Sequence, residues 1–242
     1  MTVDRAIGLV RPAWTSWPRA ARLTLAGSAV AWVVLTAWAV GGGGAHGGGV
    51  VEPWRPAWLL TWLLMVAAMM WPLAVPALGV VSRVAFRAWR GRLVATCLGT
   101  VTVLWVAAGL ALASVAHLVA VPAGSRWWQL GWLAAAVLAG RSGRRARVLW
   151  RCARIPPVAP GGRRGLASAA VAGVVTWRRC VLLCGPVMAA MVVGHDPVVM
   201  LGASLAAWWE AAHPRAWRDP VPALLLAAAA AWVLLLLVVG SG

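Results

Sequence analysis

The sequence is short of charged residues and contains very few acidic ones. Only 11% of its 242 residues are charged, just five are Asp or Glu, and 62% are hydrophobic. A soluble domain of this length needs a charged and polar surface, which this composition cannot supply. The composition therefore excludes a water-soluble globular protein. It predicts an integral membrane protein that forms one helical bundle (residues 1–242) without a separate soluble domain.

Sequence motifs of the common enzyme classes are also missing. The chain has no phosphate-binding loop, nucleophile elbow, His-Glu-x-x-His zinc motif or dinucleotide fingerprint. Its four cysteines form no secreted disulfide pattern; they are Cys97, Cys152, Cys180 and Cys184. We therefore expect no enzymatic activity, and we expect the cysteines to be thiols.

Long apolar runs predict an all-α transmembrane bundle of six or seven spans. A helix needs about 20 apolar residues to cross about 30 Å of hydrocarbon. The predicted spans cover residues 23–40, 57–80, 93–119, 127–140, 166–194, 198–212 and 221–240. Six spans result if the short fourth or sixth run is re-entrant. Arg178 and Arg179 interrupt the fifth run, which is either one long tilted helix or an interfacial piece that leads into a span.

The distribution of arginine orients the predicted bundle. All 22 basic residues are arginine. With the N-terminus in the cytoplasm, the inner segments, including the basic loop 141–165, hold nearly all of them, and the outer loops hold only Arg55 and Arg126. The net charge of +17 thus indicates contact with the anionic head groups of a lipid bilayer, not binding to nucleic acid. We expect a multi-pass protein of the cytoplasmic membrane.

Four sulfur residues in the fifth run lie at helical spacing, and we call them the sulfur stripe: Cys180, Cys184, Met188 and Met191. Their spacing places them within a sector of about 80° on one helix face. Thiolates and thioethers are the ligands that Cu(I) prefers. Ordinary packing is the alternative, because Cys and Met are common in membrane helices. Pro186 is expected to disrupt the helix within the stripe.

The second run contains a dense group of methionines, Met65, Met69 and Met70. The first two are one helical turn apart, and three methionines within six residues could provide thioether ligands. Methionines at this spacing also serve as packing residues, so both interpretations stay open. Pro72 and Pro76 follow the group and predict a kinked or broken helix end near the cytoplasmic side.

Three further residues could contribute ligands, and each has a structural alternative. Glu210 is the only acidic residue well inside an apolar run, where it pairs either with an arginine such as Arg178 or with a metal. His195 lies at the outer end of the fifth run, in either an ion-uptake site or an ordinary turn. Cys152 lies among arginines that favour its thiolate.

Together these motifs resemble a bacterial family of predicted metal-binding integral membrane proteins, a domain of unknown function, over residues 62–210. The best match is Trp62-x-x-Met65-x-x-Ala68-Met69-Met70-x-Pro72, which resembles the methionine-rich second span of that family. The other matching positions are Cys152, Cys180, Cys184, Met188 and Glu210. The resemblance implies metal binding, with copper as the expected metal, in a bacterial membrane protein.

The chain departs from the family pattern at several of the implied ligand positions. Val148 and Leu183 stand where the family has cysteines, Thr176 stands where it has a histidine, and Ala211 replaces a lysine. About half of the implied ligands are therefore kept. The pattern indicates a divergent member of the family with fewer sulfur ligands.

The leading hypothesis is Cu(I) binding and transfer, with a metal donor or acceptor protein, or a membrane complex, as the partner. Cys180 and Cys184 are the predicted core ligands. The predicted exchange ligands are Met188, Met65, Met69 and Met70, with Met191, Cys152, His195 and Glu210 as further candidates. The alternatives are a non-catalytic structural or assembly factor of a membrane complex, and a transporter of a small solute or ion.

Overall fold

The computed structural model describes residues 18–40, 50–142, 155–213 and 219–239. Within these ranges the chain forms seven helices and no strand, as the sequence predicts. They are α1 (Arg19–Val40), α2 (Pro56–Val84), α3 (Arg90–Leu118), α4 (Arg126–Gly140), α5 (Gly162–Met191), α6 (Pro197–Ala212) and α7 (Val221–Val239). Cys152 and much of the predicted basic loop lie outside the described residues.

Five helices have the length and hydropathy needed to cross a membrane, namely α1, α2, α3, α5 and α7. The other two, α4 and α6, have 15 and 16 residues. At 1.5 Å per residue they measure about 23 Å, which is less than a hydrocarbon core of about 30 Å. The structure therefore confirms the all-α class and five helices of spanning length.

Helix α5 is one continuous helix of 30 residues that begins at Gly162, four residues before the predicted start. It passes without a break through Arg178 and Arg179, and Arg178 is exposed on the surface of the bundle. Of the two alternatives for this run, the single long helix is therefore the observed one. The helix also continues through Pro186, so the whole sulfur stripe belongs to one helix.

Helix α2 also continues through two prolines, Pro72 and Pro76, where the sequence predicts a kink or a break. Proline has no N–H to donate to the carbonyl four residues earlier, which for Pro72 is the carbonyl of Ala68. The hydroxyl of Ser28 in α1 donates to that oxygen at 2.7 Å. This substitute donor satisfies the carbonyl and explains how α2 extends to Val84.

Helix α2 forms the centre of the bundle. Of its most apolar stretch 61% is buried, against 22–33% for the other four long helices. It packs against α1 and α3, and more narrowly against α5 and α6. Helix α5 packs on α3 and α4, and α7 packs on α4 and α6. The two helices that carry most of the sulfur, α2 and α5, therefore meet inside the bundle.

Glycines allow the closest approaches between helices. A Cβ atom at Gly109 of α3 would fall inside the indole of Trp62, and one at Gly173 of α5 would lie 2.7 Å from the carbonyl oxygen of Cys97. Since neither neighbour can withdraw without moving a buried ring or the backbone, only glycine fits at these positions. In contrast, a Cβ atom at Gly99 of α3 would meet no atom within 4 Å.

Replacing Ser28 with alanine should lower the free energy of unfolding by about 1 to 3 kcal/mol, because the buried Ala68 carbonyl loses its donor. In a Pro72→Ala background the new N–H of residue 72 can bond the same carbonyl, so Ser28→Ala should cost much less. A double-mutant cycle, followed by unfolding of the purified protein in detergent, measures the difference. An equal cost in both backgrounds would contradict this account of α2.

Replacing Gly173 with alanine should destabilise the protein by about 1 to 3 kcal/mol, because the added methyl group overpacks the contact between α3 and α5. Gly99→Ala is the matched control on the same helix pair. It should be neutral or slightly stabilising, since alanine is the better helix former. Thermal unfolding of both variants tests the pair, and a Gly173→Ala protein as stable as Gly99→Ala would refute the close contact.

Candidate metal centre

The sulfur stripe of α5 is fully buried. The exposed fractions of Cys180, Cys184, Met188 and Met191 are all 1% or less. All four belong to one continuous cluster of buried apolar side chains. Cys180 and Cys184 are one helical turn apart, both are thiols, and neither forms a disulfide. The stripe therefore presents two thiols and two thioethers to the interior of the bundle and none to its surface.

The methionines of α2 face the same interior. Met65, Met69 and Met70 have exposed fractions of 0%, 1% and 0% and belong to the same buried cluster. Their helix packs against both α5 and α6. The structure therefore brings together the two groups of sulfur residues that the sequence singles out.

Helices α2 and α5 run in opposite directions. The indole of Trp58, at the start of α2, donates to the carbonyl of Val192 at 3.2 Å, just past the end of α5. Towards the other end, Leu78 of α2 and Ala169 of α5 share a second buried cluster. The end of one helix thus lies beside the start of the other.

The Trp58 contact also sets the register of the sulfur residues. Met70 lies twelve residues after Trp58, and Cys180 lies twelve residues before Val192. At 1.5 Å per residue, each is about 18 Å from that contact. Met70 and Cys180 therefore lie at the same level of the bundle. By the same count Met65 is level with the middle of the sulfur stripe.

A further sulfur residue, Met200, was missed by the sequence interpretation. It lies in the first turn of α6, is 1% exposed and belongs to the same cluster. The sequence does contain a signal for this residue, since Met200 follows Met191 across a tight turn between two helices. Such a helical hairpin returns the second helix to the same interior, so its first turn can join the buried cluster. We define the sulfur cluster as the stripe residues together with Met65, Met69, Met70 and Met200.

The donor atoms of this cluster are of one chemical kind. In the ranges that the structure describes, no three His, Cys, Asp or Glu side chains are grouped so that they could hold a metal ion. A site with three or more side-chain ligands formed there has to include methionine thioethers. Thioethers select soft ions such as Cu(I), whereas Mg²⁺ and Ca²⁺ need oxygen donors and Zn²⁺ is bound by thiolate, imidazole or carboxylate groups.

Thr176, the residue that replaces the histidine of the family pattern, has a structural task. Its hydroxyl donates to the carbonyl of Ala172, four residues earlier in α5, at 2.8 Å. This bond satisfies the hydroxyl inside an apolar helix. Leu183, at the position of a family cysteine, is buried in the same cluster as the stripe. Apolar packing therefore occupies one of the missing ligand positions.

Glu210 lies at the C-terminal end of α6 and lines a narrow cleft between α4 and α7. Arg141 and Asp219 line the same cleft. The N–H of Val221 and the indole of Trp209 donate to Asp219 at 3.0 and 2.9 Å, and these bonds lower the pKa of its carboxyl. The described lining of this cleft contains no sulfur residue, so the structure does not add Glu210 to the sulfur cluster.

Hydrogen-bond donors from four parts of the chain hold the C-terminal end of α5 and the turn after it, and we call these donors the collar. The indoles of Trp58, Trp128 and Trp232, the amide of Gln129 and the backbone of Gly124 form it. The indole of Trp128 donates to the carbonyl of Ala189 (2.8 Å), and that of Trp58 donates to the carbonyl of Val192 (3.2 Å). The N–H of Gly124 donates to the carbonyl of Val193 (2.5 Å), and the amide of Gln129 donates to the carbonyl of Gly194 (3.2 Å). The indole of Trp232 donates to the carboxylate of Asp196 (3.2 Å). Carbonyls at a helix C-terminus lack α-helical donors, so the collar supplies donors to carbonyls such as those of Val192 and Val193.

The collar gives structural roles to two tryptophans and to Asp196. The indole of Trp128 bonds to a carbonyl of α5, and that of Trp58 bonds to the carbonyl just past its end. Asp196 caps α6 by accepting from the N–H groups of Val198 and Val199, at 2.9 and 3.1 Å. Its other carboxylate oxygen accepts from the collar. Asp196 is therefore a structural residue.

His195, between the collar and the cap, lies close to the sulfur cluster. Solvent reaches neither of its ring nitrogens. Its ring meets the edge of Trp62, with centroids 6.5 Å apart and planes 75° apart. Trp62 stacks on Trp58 at 5.4 Å and donates to the carbonyl of Trp105 at 3.0 Å. The structure thus places His195 beside Trp62 in α2, just past the C-terminal end of α5.

Comparison with known proteins adds a family assignment. No curated protein and no solved structure matches the chain. A family model described as "PpoB2: Copper chaperone" matches residues 59–236, a stretch that contains every residue of the sulfur cluster. Because this match covers well over half of the 242 residues, the chain belongs to the PpoB2 copper chaperone family.

Proposed function

We propose that this protein is a membrane-embedded copper chaperone that binds Cu(I) in the sulfur cluster and passes it to a partner protein. One observation carries the proposal: every methionine in the described ranges, with Cys180 and Cys184, is buried in one cluster between α2, α5 and α6. The family assignment supports copper as the cargo. The all-sulfur donor set supports the Cu(I) state, because soft donors stabilise the softer ion.

The two cysteines are the proposed primary ligands. A thiol buried in apolar surroundings keeps its proton, and a metal ion displaces that proton when it binds. The charge of Cu(I) then offsets the charge of the thiolate in a medium where an isolated charge is costly. Cys180 and Cys184 project from the same face of α5, so one ion can bind both sulfurs.

The methionines are the proposed exchange ligands. A thioether is neutral and binds without losing a proton, so exchanging one thioether for another moves no net charge other than that of the ion. Along α5 the steps from Cys180 to Cys184, Met188 and Met191 measure about 5 to 6 Å each at 1.5 Å per residue. Short steps between weak ligands allow an ion to move along the cluster and leave it.

We place the protein in the bacterial cytoplasmic membrane with its N-terminus inside. Five helices of spanning length and the concentration of arginine on one side of the predicted topology support this placement. The collar and His195 then lie towards the outer face, and Cys180 lies deeper. We expect the protein to act by binding and transfer and to catalyse no reaction.

The variant Cys180→Ser/Cys184→Ser should lose high-affinity Cu(I), because a serine hydroxyl is a poor ligand for a soft ion. Titration of the purified protein with Cu(I) against a chromogenic chelator measures the affinity and the stoichiometry. Cys97→Ser is the matched control, since Cys97 is also a fully buried thiol but belongs to the second buried cluster. Unchanged binding in the double variant, or equal loss in Cys97→Ser, would refute the proposed site.

The variant Met65→Leu/Met69→Leu/Met70→Leu should keep its fold, because leucine nearly conserves the volume of methionine. Its Cu(I) affinity should fall on the order of tenfold or more, as expected when metal ligation is disturbed, and release to the chelator should change with it. Leu63→Met/Leu64→Met, on the same helix, controls for a general effect of sulfur content. A triple variant with wild-type affinity and release rate would assign these methionines to packing.

A further inference from the structure

His195 is a nitrogen ligand that the fold places near the end of the sulfur cluster. It follows Met191, the last stripe residue, by four positions. Its ring touches Trp62, and Met65 lies three residues after Trp62, on the same face of α2. The imidazole therefore lies just past the last stripe residue along the chain and beside a ring of the α2 face that carries Met65, at the end of the bundle nearest the turn.

The position of this imidazole is fixed before any ion arrives. Four hydrogen bonds from the collar hold backbone carbonyls between Ala189 and Gly194, and a fifth holds the carboxylate of Asp196, the residue that follows His195. Trp62, which it touches, is itself held by Trp105 and wedged against Gly109. A ligand held in this way needs no ordering when it binds, which lowers the entropic cost of binding.

The neighbouring polar side chains at this end are engaged in structural contacts. Asp196 caps α6 and accepts from Trp232. His117, in the last turn of α3, forms a hydrogen bond through Nδ1 with the carbonyl of Val51 at 2.8 Å, and its ring meets Trp54. Asp196 is thus tied to α6 and α7, and His117 to the segment before α2, whereas the ring of His195 packs on the buried Trp62 of α2.

We propose that His195 is a Cu(I) ligand at the outer end of the sulfur cluster, where the ion passes between the cluster and an external donor or acceptor. This inference rests on the proposed function and adds a second kind of donor to it. Imidazole is a good ligand for copper and is harder than a thioether. An ion shared by His195 and Met191 would thus be bound at the rim and exchanged from there with the deeper thiolates.

The test compares Cu(I) loading in His195→Leu and His195→Met. The full-length protein in lipid nanodiscs receives Cu(I) from its glutathione complex, and the loading rate and final stoichiometry are measured. His195→Leu should load on the order of tenfold more slowly, since loss of a metal contact typically costs that much. His195→Met should restore most of the rate, because it returns a soft donor to the same place. His117→Leu, at the same end of the bundle, should load like the wild type.

X-ray absorption at the copper edge gives a second readout. The Cys180→Ser/Cys184→Ser protein, which lacks the deeper thiolates, should show a nitrogen scatterer from imidazole alongside sulfur when it is loaded with excess Cu(I), and the same protein with His195→Leu should lose that nitrogen scatterer. Wild-type loading rates in both His195 variants would overturn the inference, as would the absence of a nitrogen scatterer that depends on His195 from the spectrum of the double cysteine variant. Complete loss of copper from a folded His195→Leu protein would also overturn it, because His195 would then be a core ligand.

The same experiments separate this inference from the proposed function. If the wild type binds no Cu(I), the proposed function fails together with the inference. If the wild type binds Cu(I) through Cys180 and Cys184 and the His195 variants load normally, the cluster stands and only the role of His195 is refuted.

Discussion

Backbone carbonyl groups that have lost their helical donors impose the constraint on which this structure depends. In an apolar bundle such groups cannot be left to water, so a side chain of another helix has to reach them. Ser28 does this for the carbonyl that Pro72 leaves open, and the collar does it for the end of α5. These bonds join α1 to α2, and α2 and α4 to α5. The donors that satisfy the backbone therefore also fix the helices that carry the sulfur.

The chemistry of the interior follows from the near absence of charge. In the described part of the chain the buried cluster consists of thioethers, thiols, aromatic rings and aliphatic groups, so the donors that it offers an ion are soft. Selectivity then comes from the softness of the donors, since an ion that needs oxygen ligands would lose its hydration shell without replacement. The acidic residues Glu210 and Asp219 lie in a cleft whose described lining contains no sulfur. This arrangement is consistent with a protein of the copper chaperone family.

Much of the fold could be predicted from the sequence, and the failures have physical causes. Hydropathy located the helices, because a long apolar run has few other stable structures. It did not foresee that α2 and α5 pass through prolines, since the compensating donor for Pro72 is distant in the sequence. The grouping of α2 methionines with the stripe was expected from the resemblance. Met200 was not expected, because its place in the cluster depends on a hairpin whose geometry is set by the collar and the Asp196 cap.

The spacing of Cys180 and Cys184 on an unbroken helix has a redox consequence. Residues one turn apart in a helix hold their β-carbons about 5 to 6 Å apart, whereas a disulfide requires about 3.8 Å. While α5 stays helical, the two sulfurs can share an ion but cannot bond to each other. Copper readily promotes thiol oxidation, so thiols that cannot pair with each other suit the proposed Cu(I) site. The regular helix thus prevents a disulfide between Cys180 and Cys184, and unwinding it would allow one.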